Sequence, residues 1–159
     1  MGFVRCAVYI ALLGVLNFIL GRLVPKRWFD YRVPPYRTRG WEDGGRIYER
    51  LFRISAWQAR VPDMSRVFPK LMPPKKLVRT DEASLLTMLR ETCVAESCHA
   101  LLIVLGLGIL PLWPGVGGVI FYLIYAVFGN LVFILIQRYN RPRLARLYER
   151  LQKRKEAAP

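Results

Sequence analysis

Two stretches of the chain read as membrane-crossing segments, and they limit every fold it could adopt. Residues 3–24 form an apolar run interrupted only by Arg5, Asn17 and Arg22, near its ends or on one face. Residues 93–136 form a second run, broken by Pro111-Leu112-Trp113-Pro114-Gly115. About 20 apolar residues cross a hydrocarbon core of ~30 Å, so the first run predicts one span and each arm of the second predicts another. Two prolines with Gly115, Gly117 and Gly118 predict a turn between the arms, and Trp113 suits an interfacial anchor there. The expected fold is an all-α integral membrane protein with three transmembrane helices at 3–24, 93–111 and 115–137. Interfacial amphipathic helices accompany them, and the chain forms a single membrane domain over 1–159. A cleaved signal peptide is the other reading of the first run. Gly21-Arg22-Leu23-Val24-Pro25 offers no small-x-small cleavage site, which favours a retained anchor. A re-entrant hairpin that never crosses stays open for 93–137.

Charge supports this class and orients it. Hydrophobic residues make up 53% of the 159-residue chain, yet its formal net charge is +14, a balance suited to apolar spans with basic margins. Of the 25 Lys and Arg, all but Arg5 and Arg22 lie between Lys26 and Arg90 or between Arg138 and Lys155. Basic loops stay cytoplasmic. Both polar regions are therefore expected inside a bacterial inner membrane, with the N-terminus and the hairpin apex outside. Cys6, Cys93 and Cys98 lie in or beside apolar segments; an odd count without paired spacing argues against a disulfide scaffold.

The segment 25–90 interleaves aromatics such as Trp28, Trp41, Tyr48 and Trp57 with arginines. Such interleaving can serve single-stranded nucleic acid, but beside a membrane anchor it reads as the headgroup zone, with no nucleic-acid partner. Residues 41–52 carry Trp41, Ile47, Tyr48, Leu51 and Phe52 at helical spacing. Pro34-Pro35 and Pro73-Pro74 read as extended connectors. A helix restarts at Asp81 and feeds the second span. Arg141-Pro142 predicts a kink, and Leu144, Leu147, Tyr148 and Leu151 predict an amphipathic helix over 142–156, lying on an anionic inner leaflet.

The chemistry concentrates where the second span begins. Glu91, Thr92, Glu96 and His99, the only histidine, sit at the edge of an apolar helix, and ionisable groups there usually face a bundle interior or a water cavity and mark function. At about 100° per residue Thr92, Glu96 and His99 share one face. On the returning span Asn130, Gln137 and Arg141 share another. Folding the hairpin about Pro114 pairs position 99 with about 129, 96 with about 132 and 91 with about 137. The bland reading is helix–helix hydrogen bonding. The sharper one makes His99 a proton acceptor, tuned by a neighbouring carboxylate. One His with two carboxylates falls short of the di-iron carboxylate pattern, so neither metal nor cofactor is expected. No GxSxG elbow is present, Ser97 faces away from His99 and Cys98 lies about 100° round the helix from it, so direct transfer between two bound substrates is preferred to a covalent enzyme.

The run Trp41-Glu42-Asp43-Gly44-Gly45-Arg46-Ile47-Tyr48-Glu49-Arg50-Leu51-Phe52, with Trp57 and Val61-Pro62-Asp63, resembles the small glycosyl-diaponeurosporenoate acyltransferases of bacterial carotenoid biosynthesis. Glu91-Thr92-Cys93, Ala95-Glu96 with His99, and Gln137-Arg138-Tyr139-Asn140-Arg141-Pro142-Arg143-Leu144 are similar to that family's other blocks. The resemblance implies a membrane enzyme that esterifies a sugar hydroxyl of a lipid-linked glycoside with a fatty acyl chain. Its partners would be membrane lipids, an acyl thioester or phospholipid donor, and the glycoside acceptor. Such a reaction needs a base for the hydroxyl proton and donors for the oxyanion. The expected catalytic residues are His99, Glu96 and Glu91, with Glu96 orienting His99. The expected substrate-binding residues are Asn130, Gln137, Arg138, Asn140, Arg141, Arg143, Trp41 and Tyr48. Within that set Asn130, Asn140 or Arg138 would serve the oxyanion, and Arg138, Arg141 and Arg143 would clamp donor phosphates. No Asp follows His99 at the HxxxxD spacing. A non-catalytic assembly protein, or a metal-dependent enzyme using Glu91, Glu96 and His99, are the alternatives.

Overall fold

The computed structural model describes residues 2–61 and 81–157, and those residues are mostly helical with no strand among them. Helix α1 is Gly2–Leu23, α2 Arg46–Phe52, α3 Ile54–Trp57, α4 Glu82–Gly106 and α5 Ile109–Leu112. Helix α6 is Val116–Ala126, followed through a π segment, Val127–Leu131, by α7, Val132–Glu156. Among the described residues three helical stretches are long and apolar enough to cross a bilayer: Gly2–Leu23, Glu82–Leu112 and Val116–Glu156. The chain divides into two compact units, one of Met1–Phe29 with Cys93–Gln137 and one of Asp30–Thr92 with Arg138–Pro159.

The first unit holds α1, α5, α6 and the apolar part of α4. Its 22-residue α1 is about 33 Å long at 1.5 Å per residue, enough for a hydrocarbon core. Polar atoms here satisfy one another: the Tyr9 hydroxyl donates to the Leu105 carbonyl at 2.8 Å, and the Tyr122 hydroxyl to Ile103 at 3.4 Å. Gly106 and Gly108 leave no room for a side chain, because the rings of Tyr125 and Tyr9 lie over them. Phe3 meets Phe121 edge to face at 5.5 Å, and Phe121 lies 6.0 Å from Trp113. These contacts set the start of α1 beside the hairpin apex. Val4, Val8, Leu12, Val15 and Ile19 on α1 and Ile120, Leu123, Ile124 and Phe128 on the returning span are exposed, an apolar surface that suits lipid.

The apex is tighter than expected. Pro111 sits inside α5, and the break falls on Trp113-Pro114-Gly115, where Gly115 has φ +97°.

The second unit holds the polar segment, the start of α4 and the tail of α7. Asp81 caps α4, accepting from the Ser84 amide at 3.3 Å and the Ser84 hydroxyl at 2.6 Å. The helix expected over 41–52 is shorter. Asp43, Gly44 and Gly45 take φ of 51°, 61° and 88°, which ends one turn and delays α2 to Arg46, leaving Trp41 outside it. Pro34-Pro35 is no extended connector: it lies in turns where the amides of Tyr36 and Arg37 donate to the Val33 carbonyl. Pro73-Pro74 lies outside the described residues. Pro142 does not end its helix but sits within α7. The apolar face of the tail is partly covered, since Tyr148 is buried and reaches Glu82, as do Gln152 and Lys155.

Pro142 has no amide to donate four residues back, and Gly45 packs against that part of α7. A Cβ on Gly45 would stand 3.0 Å from the Tyr139 carbonyl oxygen and 3.4 Å from the Pro142 ring. With the left-handed backbone as well, Gly45→Ala should cost roughly 1–3 kcal/mol. Gly40→Ala, which meets open space, should be nearly neutral. Thermal unfolding midpoints of the two variants check this.

Candidate functional site

The polar centre of the first unit is built on the π segment. A π segment admits one more residue per turn than an α-helix, and such bulges recur at functional sites. Here it carries Asn130, 1% exposed, whose side-chain amide donates to the Tyr125 carbonyl at 3.0 Å. The Asn130 side-chain oxygen lies 3.0 Å from Nδ1 of His99 on α4. Phe133, one turn beyond Asn130, stacks on the imidazole with ring centroids 4.7 Å apart and planes 5° apart. The half-buried His99 is thus held edge-on by an amide and face-on by a ring. Glu96 is buried one turn earlier on α4. The group facing Nδ1 is the Asn130 amide oxygen. Cys98 packs beside Gly21 of α1.

The second unit contains the expected arginines at different depths: Arg138 is half-buried, Arg141 enclosed and Arg143 exposed. Arg141 is 1% exposed. Its Nε donates to the Thr92 hydroxyl at 2.8 Å, Nη2 to the Thr92 carbonyl at 3.0 Å and Nη1 to the Tyr36 carbonyl at 2.8 Å. Three donations to three acceptors make Arg141 a tie between α4, α7 and the loop at Tyr36. Arg138 donates to Glu42 at 3.3 Å and to the Pro35 carbonyl at 2.5 Å. Asn140 donates to Gln58 at 3.1 Å, and the Arg143 guanidinium lies 3.7 Å from the centroid of Tyr139. Tyr48 is buried and Trp41 exposed, their rings 6.3 Å apart. Glu91 and Gln137 are half-buried.

The residue that sequence reading missed is Glu42. It is 1% exposed and accepts from the Tyr48 hydroxyl at 2.5 Å, the Arg39 amide at 2.5 Å and Arg138. A Glu three residues into a helical turn, able to reach back to the turn's first amide, was the available signal. Trp41 beside it drew the apolar reading instead. Two exposed carboxyls are shifted by their neighbours. A hydrogen bond from Arg46, with Arg50 adding charge, holds Asp43 below its ordinary value, and hydrogen bonds from the Ser55 hydroxyl and amide do the same for Glu49. Both then favour the fold at pH above the ordinary carboxyl range of about 4, an effect lost as pH falls through the lowered values. Among the described residues no three His, Cys, Asp or Glu side chains converge as a metal site requires.

A profile of the glycosyl-4,4'-diaponeurosporenoate acyltransferase family matches residues 25–150. The chain belongs to that family. Glycosyl-4,4'-diaponeurosporenoate acyltransferase of Staphylococcus aureus strain N315 is 27% identical over 157 residues, covering 95% of this chain and 90% of the relative. The protein of that name from strain USA300 is 28% identical over the same shares. No solved structure matches. This chain is therefore an enzyme that transfers acyl groups, and the matched stretch contains Glu42, His99, Asn130, Arg138 and Arg141.

Arg141→Lys keeps a charge but not the three-way donation, because an ammonium cannot span the fork of a guanidinium. Each buried acceptor left bare costs roughly 1–3 kcal/mol. The acyltransferase carrying Arg141→Lys should lose resistance to proteolysis and unfold at lower temperature. Arg50→Lys, at an exposed side chain paired with half-buried Asp43, should leave both measurements unchanged.

Proposed function

We propose that this acyltransferase moves a fatty acyl group from an acyl thioester or phospholipid to a sugar hydroxyl of a lipid-linked, carotenoid-like glycoside, with His99 as the general base. The relatives are named for acylating glycosyl-4,4'-diaponeurosporenoate, which supports the acceptor class. The observation that carries the role of His99 is its seating between two spans, fixed by Asn130 at one ring nitrogen and Phe133 across one face. In the reaction the imidazole takes the hydroxyl proton as the sugar oxygen bonds to the acyl carbonyl carbon. The tetrahedral oxyanion then collapses, the bond to the donor's sulfur or oxygen breaks, and the imidazolium returns the proton to that leaving group. A positioned base is worth roughly 10²–10⁴-fold. His99→Ala should therefore lose activity by that factor in an ester-forming assay while keeping its helix content. Near-wild-type turnover in that variant would remove His99 from the chemistry.

The enzyme lies in the bacterial inner membrane with its basic segments cytoplasmic, as the distribution of Lys and Arg supports. The apex and the start of α1, which lie together, face outward. In a variant lacking native cysteines, an impermeant maleimide added to intact cells should label Val116→Cys. It should not label Arg37→Cys or Glu156→Cys until the cells are opened. Labelling of Arg37→Cys from outside would reverse the orientation.

A further inference from the structure

We infer that Asn130, held by the Tyr125 carbonyl at the π segment, is a positioning residue that fixes His99 in the tautomer with the proton on Nδ1, so that Nε2 is the basic nitrogen. This rests on the reading of His99 as the base. The argument begins at Tyr125. A backbone carbonyl only accepts hydrogen bonds, so the Asn130 atom 3.0 Å from it must be the NH₂ nitrogen. The other end of the amide, a carbonyl oxygen that only accepts, is thereby turned toward His99. An acceptor 3.0 Å from Nδ1 requires the hydrogen to sit on Nδ1. In a neutral imidazole the lone pair is then on Nε2.

Two features keep the amide from reversing. A flip would set the Asn130 oxygen against the Tyr125 carbonyl oxygen and its NH₂ against the Nδ1 proton. With the side chain 1% exposed, no water could offset either clash, and an unmet buried polar group costs roughly 1–3 kcal/mol. Phe133, stacked within 5° of the ring plane, resists rotation of the imidazole out of this arrangement. The π segment is what brings the donor nitrogen to the Tyr125 carbonyl while the oxygen still reaches α4.

Because the chain has one histidine, the tautomer can be read directly. The full-length protein, labelled with ¹⁵N-histidine and held in detergent micelles at alkaline pH, should give one imidazole in a long-range ¹H–¹⁵N correlation spectrum. Nδ1 should be pyrrole-like and Nε2 pyridine-like. Asn130→Ala should move that pattern toward the opposite tautomer and lower activity on the order of 10²-fold, at the lower end of what a positioned base supplies. Asn130→Asp keeps an acceptor at Nδ1 but adds negative charge, which favours the imidazolium. The acid limb of its pH–rate profile should therefore move to higher pH. A proton on Nε2 in the unmodified protein would overturn the inference whether or not the variants fold. An Nδ1–H pattern that survives Asn130→Ala would overturn it too. Activity surviving His99→Ala, with the Nδ1–H pattern intact in the unmodified protein, would instead overturn only the role of His99 as base.

Discussion

Hydrocarbon offers no hydrogen bonds, and the first unit is arranged around that constraint. Helices satisfy the backbone internally, and each remaining polar group must find its partner within the protein. Tyr9 and Tyr122 do so by donating to carbonyls of the second span. His99 and Asn130 do so through each other and through Tyr125. Among the described residues the one buried side-chain nitrogen or oxygen without a partner is the Asn17 oxygen of α1. An enzyme built this way can keep an imidazole at membrane depth only by committing neighbouring polar atoms to it. That commitment also gives the imidazole its direction.

The second unit solves a different problem with the same means. Its core holds an arginine and a glutamate that are almost fully enclosed, and burial of charge is tolerable only when each group is paired and hydrogen-bonded. Arg141 donates at three nitrogens and Glu42 accepts from three donors. Such networks fix one arrangement of the surrounding loops, because any other leaves charge exposed to an apolar interior. In a polar segment with little apolar core, they do the positioning that a hydrophobic cluster does elsewhere.

Much of this was legible in the sequence, and the misses have physical causes. The spans were readable because apolar length alone decides whether a helix can cross a bilayer. The pairing of positions 99 and 129 came within one residue of the observed His99–Asn130 contact. The difference equals the one residue that the π segment inserts, which regular geometry does not foresee. The boundary of α2 was misplaced because Asp43, a non-glycine residue, takes φ 51°, and spacing carries no sign of that. The amphipathic face of the tail was correctly seen, but periodicity says only that a face is covered. Here Tyr148 packs on the start of α4. Arg141 looked like a ligand clamp because sequence shows charge but not depth.

The inserted residue of the π segment changes how the third span would respond to loss of the bulge. If the segment relaxed to a regular α ladder with every residue kept, the extra residue would have to be taken up along the helix. The third span would lengthen by only about 1.5 Å, yet everything from the end of the segment onward would turn by about 100° around the axis. Asn130 and Phe133 would leave the imidazole together, one carrying off its hydrogen bond and the other its stacking surface. Circular dichroism would scarcely register the loss, and the span would still cross the bilayer. The bulge thus works as a phase setting for the third span: its contribution is angular, and hydropathy cannot detect it.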